Sequence, residues 1–477
     1  MIKKEIIFAY ALKNAIEHDG KAVAGSVISG LFNHGLTKGN IKGIMPNVNE
    51  VLKEVNLMSI AEQESEFSKY EKYIGSRPER EGMPDLPDVG KKGVIMRFAP
   101  APSGRLHLGH IISSMPSSIY VNKYGGKFIV RIEDTDPERV SIDSYKSIKE
   151  DCDWIFGNVT EYMIQSDRME IYYKYALDLI KKDSSYVCNC DPLKFKELIT
   201  KKKECSCRSL DIKDNVKRWE KMLSKNGYDV GEAVLRFKSD LKDKNPALRD
   251  FPLARINLKS HPRQKKKYRV WPLMNLSVST DDIEYKMTHI IRGKDHKDNS
   301  LRQRMIFDVL GFEKSFPHVI FIGRIKFSDF DMSKRKITTQ IKEGKYSGWD
   351  DIRLPTIEVV RKRGYQPQAF CDFAIQRGLS EIDKVISKDD FFQIIDNFNR
   401  DILREKTKKY EFSQVKEKTY GNLVVVMPDN SKVMGESDIK DGKIGDIVYF
   451  SKFGYCRLNV IEGTGAKKKM VFWYCHK

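Results

Sequence analysis

Two short clusters of histidine, serine and lysine and two pairs of cysteines hold most of the chemistry this sequence can do. In PSGRLHLGHIISS, His107 and His110 flank Gly109 where a proline-glycine turn gives way to an apolar run. Two imidazoles three apart at a helix start can share a metal ion. They can also donate to phosphate oxygens, beside free backbone N–H groups and the positive end of the helix dipole. The glycine lets a flat base or a phosphate approach the backbone closely. A metal would need a third ligand, and the acid of an HExxH-type set is absent from this stretch. Far downstream, Asp331-Met332-Ser333-Lys334-Arg335-Lys336 follows a strand-like run. It reads either as a solvated basic loop or as a loop whose serine and lysine close over a triphosphate and stabilise the leaving pyrophosphate. Cys188, Cys190, Cys205 and Cys207 form a CxC–x14–CxC pattern. Four thiolates at that spacing suit tetrahedral zinc with no position open for catalysis, free thiols being the alternative.

These groups need a scaffold, and the hydrophobic pattern supplies one. GVIMRFAP (93–100) reads as a strand, followed by the HLGH turn, a helix to about Tyr124, the turn Gly125-Gly126 and the strand KFIVRIED (127–134). Strand, loop, helix, strand opens a parallel α/β sheet, whose ligands gather at the carboxyl ends of the strands. The sheet pattern resumes in MTHIIRGKD (287–295) and HVIFIGRIKF (318–327). Between them, 187–264 is loop-rich and basic and reads as an insertion with long charged helices. Residues 1–73 show helical periodicity, and 75–93 is a linker rich in proline, glycine and charge. Residues 344–409 read as helices with a basic RKRG turn, and 410–477 alternate as a small β-barrel would.

The balance of charge narrows the partners. The 477 residues carry 85 Lys and Arg against 66 Asp and Glu, a formal charge of +19. Solubility alone is one explanation; a polyanionic partner such as nucleic acid is the better one, because cationic surface displaces phosphate counterions. No run of ~18 apolar residues predicts a membrane span, and paired cysteines without a signal-peptide pattern point to metal in a cytoplasmic chain.

Five stretches, RFAPAPSGRLHLGH, KYGGKFIVRIEDTDPER, THIIRGKDH, MSKRK and YSGWDDIRLPT, resemble class I glutamyl-tRNA synthetases of the archaeal and eukaryotic type. The first and fourth resemble that class's HIGH and KMSKS signatures. The resemblance implies a Rossmann-like α/β catalytic domain in two halves, 93–186 and 265–343, split by an acceptor-stem-binding α+β insertion with a zinc knuckle at 187–264. It implies further a helical N-terminal domain plus linker at 1–92, a helical stem-contact domain at 344–409 and a reduced β-barrel anticodon-binding domain at 410–477. The implied reaction joins L-glutamate to ATP with Mg2+ and passes the acyl group to the terminal adenosine of tRNA(Glu). His107, Gly109, His110, Met332, Ser333, Lys334 and Arg335 would hold ATP. Arg97, Ala99, Glu133 and Arg292 would hold glutamate, and Cys188, Cys190, Cys205 and Cys207 structural Zn2+. Arginine at the strand ends offers a bidentate fork for the side-chain carboxylate, which favours glutamate over glutamine. A monomer is expected.

The chain departs from the family pattern in four places. Asp331 replaces the first lysine of KMSKS, Met274 stands where bacterial relatives have a substrate-contacting tyrosine, and Ala101 lacks a polar side chain common there. Residues 410–477 leave room for one reduced barrel or a heavily trimmed pair, where relatives of this branch have two. Relaxed charging of tRNA(Gln) as well as tRNA(Glu) fits that reduction. Two rivals remain at this stage: a nucleotidyltransferase acting on a small molecule, and a degenerate synthetase retained as a tRNA-binding module.

Overall fold

The computed structural model describes residues 2–18, 20–74, 82–330, 332–415, 423–463 and 468–477, without the side chains of Lys38 and Arg335. Asp331, the Arg335 side chain and part of the 75–93 linker therefore lie outside the described residues. By contacts the chain divides into two units, Met1–Glu81 and Gly82–Lys477.

The first unit is helical, with α1 (Lys4–Glu17), α2 (Ala24–Leu31), α3 (Ile41–Val55) and α4 (Ile60–Tyr70). Ile7, Leu12, Val27, Leu31, Val48, Val51 and Val55 meet in one core, their spacing of three and four placing them on inward faces. Ser59 and Glu62 close a reciprocal capping box that starts α4.

The second unit is built on a parallel sheet. Its first half runs β1 (Val94–Phe98), α5 (Leu108–Tyr124), β2 (Gly126–Ile132), α6 (Ile142–Phe156), β3 (Glu161–Ile164) and α7 (Met169–Lys181). The Gly125-Gly126 turn is obligatory, because a Cβ on Gly126 would lie 2.0 Å from the Val94 carbonyl oxygen at a φ of +113°. A four-stranded antiparallel sheet follows, β4 (Ser185–Cys188), β5 (Val234–Phe237), β6 (Pro252–Ile256) and β7 (Val270–Pro272), with α8 (Pro192–Thr200) and α9 (Ile212–Leu223) between β4 and β5. This differs from the expected run of long charged helices. The helices have only 9 and 12 residues, and the sheet begins before residue 187 and ends after 264. Alternation in AVLRF turns Leu235 and Phe237 inward, while in PLARI Leu253, Ala254 and Ile256 are all buried where the register between β5 and β6 shifts.

The parallel sheet resumes through α10 (Met274–Glu284), β8 (His289–Gly293), α11 (Lys297–Leu310) and β9 (His318–Ile322). Thr288 joins β8 to β1: its N–H donates to the Ile95 carbonyl at 3.0 Å, and its Oγ1 accepts from the Ile95 N–H at 2.9 Å. The three-stranded sheet β3-β2-β1 and the two-stranded sheet β8-β9 thus meet through Thr288, with β1 and β8 flanking the switch point where such folds open a ligand crevice. Met96, Phe128 and Val130 are fully buried in this layer beneath α5, and each such side chain contributes about 1.5–3 kcal/mol.

HVIFIGRIKF holds two strands rather than one. Gly323 interrupts it, and β10 (Ile325–Phe327) pairs apart from the main sheet. Beyond it lie α12 (Lys334–Lys342), α13 (Ile357–Arg363), α14 (Pro367–Arg377), β11 (Lys384–Ile386), which is β10's partner, and α15 (Lys388–Leu403). The tail forms one sheet of β12 (Lys408–Tyr410), β13 (Phe412–Gln414), β14 (Leu423–Val426), β15 (Lys432–Ser437), β16 (Ile447–Phe450), β17 (Gly454–Glu462) and β18 (Lys469–His476). Its order, β12-β16-β17-β18-β14-β15-β13, puts β12 and β13 at opposite edges. Only Glu411 separates them in sequence, so the sheet must curl until its edges nearly meet. The result is a single, nearly closed barrel around Val425, Phe450, Leu458 and Phe472.

Candidate active site

The carboxyl end of β1 leads directly into the HLGH turn. His107 caps α5: its Nδ1 accepts the Gly109 N–H at 3.2 Å, while the His107 N–H donates to Nδ1 of His110 at 3.1 Å. The two rings lie with centroids 3.8 Å apart. Because both Nδ1 atoms accept, a neutral imidazole at either position carries its proton on Nε2. Burial, and then the nearby Lys334, pull His107 down to about 4, and burial holds His110 well below its ordinary value. At neutral pH the pair is therefore two uncharged Nε2–H donors. That arrangement suits phosphate, and neither imidazole belongs to a cluster of three metal ligands among the described residues.

The segment around Pro355 braces this turn from outside. His107 and Thr356 form an antiparallel bridge, with Leu108 N–H donating to Pro355 O and Ile357 N–H to Leu106 O, both at 3.1 Å. The DIRLPT stretch thus holds the first signature in place.

The second signature reaches the first. A Cβ on Gly109 would lie 3.1 Å from both the His107 ring and Cε of Met332, so glycine is what lets Met332 seat there. Lys334, the first residue of α12, places Nζ 3.4 Å from Oγ of Ser103. A Cβ on Gly104 would lie 3.5 Å from Cδ of Lys334 and 3.6 Å from the Trp349 ring, so both side chains pack over that glycine. Burial brings the Lys334 ammonium down to about 8, since a desolvated cation favours losing its proton. Ser333 precedes it at the helix start.

The four residues expected to hold glutamate lie at strand ends. Arg97 is buried and bound to Asp282, Nε at 2.9 Å and Nη2 at 3.3 Å. Glu133 is half-buried just beyond β2, its Oε1 accepting from Nη2 of Arg131 at 2.9 Å. Its N–H bonds Pro100 O at 3.0 Å, which ties it to the turn holding Ala99, whose only polar groups are backbone ones. Arg292 differs from Arg97. Its Nη1 donates to Gln303 Oε1 at 2.8 Å and Ser300 Oγ at 3.3 Å, but its Nε is buried with no partner among the described residues. Burial and then Arg97 lower its pKa to about 10. A guanidinium so placed calls for an anion. Arg131 and Asp282 were not evident from sequence, because an arginine in a strand and an aspartate in a helix carry no signal until the fold joins them. Met274 opens α10 and is partly exposed.

The cysteines form a separate centre around the end of β4. Their Sγ atoms all lie within 4.8 Å of one another, with Cys188–Cys205 at 3.9 Å and Cys190–Cys207 at 3.7 Å. Four sulfurs bound tetrahedrally at ~2.3 Å from zinc would stand ~3.8 Å apart. A hydrogen bond from Cys188 brings Cys205 down to about 5, and Nη1 of Arg218 approaches Cys207 Sγ at 3.4 Å.

Known proteins resemble this chain in sequence. The profile for tRNA synthetases class I (E and Q), catalytic domain, matches residues 93–403. A glutamate–tRNA ligase of Methanobrevibacter smithii is 34% identical over 561 aligned positions, covering 99% of each chain. One from Thermococcus onnurineus is 42% identical over 86% of this chain and 72% of its own. A solved glutamate tRNA ligase from Elizabethkingia meningosepticum is 19% identical with a TM-score of 0.45, covering 66% of this chain and 70% of that one. Two signatures that meet where Met332 packs on Gly109 and Lys334 reaches Ser103, and a profile spanning both, lead to one assignment: the chain belongs to the class I tRNA synthetases of the glutamate and glutamine group.

Proposed function

We propose that the protein is a glutamate–tRNA ligase that activates L-glutamate with ATP and transfers it to tRNA(Glu). The observation that carries the choice of amino acid is Arg292, a half-buried guanidinium whose buried Nε has no partner and which has no carboxylate bound to it among the described residues. A glutamate side chain supplies that anion; a glutamine amide leaves the buried charge unanswered, which costs more than the lost hydrogen bond.

In this reading the α-carboxylate of glutamate attacks the α-phosphorus of ATP and pyrophosphate leaves. The acyl carbon then passes to a hydroxyl of the terminal adenosine of tRNA as AMP departs. Catalysis is positioning plus charge stabilisation. The Nε2–H groups of His107 and His110 donate to phosphate oxygens, and Lys334 answers the charge that builds on pyrophosphate. Arg97 and Arg292 orient the side-chain carboxylate, and Glu133 takes the α-ammonium. Gly109 and Met332 shape the adenosine side, with Ser333 and Arg335 as further phosphate ligands. Mg2+ would accompany ATP and screen its phosphates. Cys188, Cys190, Cys205 and Cys207 would hold a structural zinc that shapes the acceptor-stem insertion, and the barrel would face the anticodon.

Alignment of 561 positions with a chain of 477 residues means that internal stretches of the Methanobrevibacter relative are missing here. The single barrel supports a reduced anticodon reader and charging of tRNA(Gln) besides tRNA(Glu). ATP–pyrophosphate exchange, run with glutamate or glutamine and with each tRNA present, tests both parts. Exchange that requires glutamate and proceeds with either tRNA is expected. A preference for glutamine overturns the first part, and strict rejection of tRNA(Gln) overturns the second.

A further inference from the structure

The arginines behind the amino-acid pocket repeat in a way that substrate contact alone does not explain. Arg97, Arg131 and Arg292 each occupy the next-to-last position of a strand, on β1, β2 and β8, which lie side by side. Two of the three are answered from inside the protein. Asp282 of α10 is 2% exposed and takes Nε of Arg97 at 2.9 Å and Nη1 of Arg131 at 2.7 Å on a single oxygen. Its other oxygen takes Nη2 of Arg97 at 3.3 Å. Arg131, fully buried, turns its remaining edge to Glu133. The neighbouring Asp281 is taken by Arg168 Nε at 2.9 Å, with Gln165 and Tyr172 donating to the same carboxylate. Four guanidiniums therefore meet three carboxylates, and the hydrogen bonds place the surplus positive charge on Arg292.

We infer that Asp282 is the positioning residue for amino-acid selection: by holding Arg97 and Arg131 along their inner edges, it leaves Arg292 as the cation that demands a substrate carboxylate. This rests on the glutamate-activating reading above. The physical consequence is a pocket matched to one negative charge. Without Asp282, Arg97 and Arg131 would each lose a desolvated counter-ion. Their guanidiniums would then shift, turning Arg97 away from the line it shares with Arg292 and drawing Arg131 and Glu133 out of place, so glutamate would bind out of line while the ATP side, built on α5 and α12, would be untouched.

The test is Asp282→Asn in the full chain, assayed by pyrophosphate exchange with tRNA present. The KM for glutamate should rise at least ~100-fold, near the lower end for removing one partner of a buried ion pair, with the KM for ATP within ~3-fold. Asp282→Glu, which keeps the charge but moves it by one methylene, should raise the glutamate KM less. Asp282→Ala should be partly rescued by formate, which restores a carboxylate to the vacated space. Parallel changes in both KM values, no change in either, or failure of Asp282→Asn and Asp282→Glu alike to fold would each overturn the inference. Failure of the wild-type chain to use glutamate would instead overturn the functional reading.

Discussion

Lys334 and the two histidines make opposite demands on pH, and the sign of each can be worked out. The ammonium is the form that answers phosphate charge, and burial brings it to about 8 from the usual 10.5. Its function is therefore present below pH 8 and lost as pH rises through that value. The kcat/KM for ATP, which reports the free enzyme, should fall with a midpoint near 8, and Lys334→Arg should move that limb upward. His107, down at about 4, stays neutral through the physiological range, so no acidic limb near 6.5 is expected. Lys334→Ala should cut activation at least ~100-fold; a near-normal rate would pass the role to Arg335 or Lys336. Arg292→Gln should lower kcat/KM for glutamate at least ~1000-fold, because a site built around a polar partner discriminates steeply. Measuring glutamine beside it shows whether selectivity, not folding, was lost. His107, Lys334 and Arg292 were legible in the sequence because their motifs are local. The state of Arg97 was not, since its partner Asp282 lies in VSTDDIE, a stretch that reads as an ordinary acidic helix.

At the scale of elements, local patterning carried the strands and tertiary pairing did the rest. Val94–Phe98 and His289–Gly293 were readable as buried runs, but their adjacency depends on Thr288 bonding Ile95 across 193 residues. The four-stranded insertion sheet was hidden because its strands have only three to five residues among long polar loops. The cysteine spacing was readable in full, since CxC pairs bring their own ligand geometry. That centre has few large apolar residues beneath it, Tyr186 and Phe195 being the chief ones, so bound metal would supply much of its folding energy. Cys205→Ser should abolish zinc retention, measured by elemental analysis. It should also lower the melting temperature by at least ~5 °C and leave the KM for ATP within ~2-fold. A variant that melts like the wild type would show that the four thiols need no metal.

The whole molecule joins two kinds of electrostatics that salt should separate. A net charge of +19 sits largely on exposed lysines, and binding of a tRNA backbone through such groups weakens linearly in log–log against salt. Arg292 is half-buried, with its Nε shielded from water, and is screened far less, so the KM for tRNA should climb with added salt while the KM for glutamate stays nearly flat. The barrel was legible in the alternation of 410–477, but the pairing that closes it was not, because its edge strands are three residues each and pair far from where they leave the chain. Its attachment is equally non-local. Arg363, the last residue of α13, donates to the carbonyls of Tyr474 and Cys475 on β18 at 3.2 and 2.8 Å. Asn459 of β17 donates to Lys362 O at 2.7 Å. The other end of α13 begins at Thr356, which bridges His107. A helix about 10 Å long thus has the barrel fixed at one end and the HLGH turn at the other. Arg363→Gln loosens only the barrel end, so the KM for tRNA should rise at least ~5-fold, as loss of charged hydrogen bonds implies, while the KM for ATP holds within ~2-fold. A rise in the ATP KM of the same size would mean that the helix transmits disorder to the histidines and does not isolate them from it.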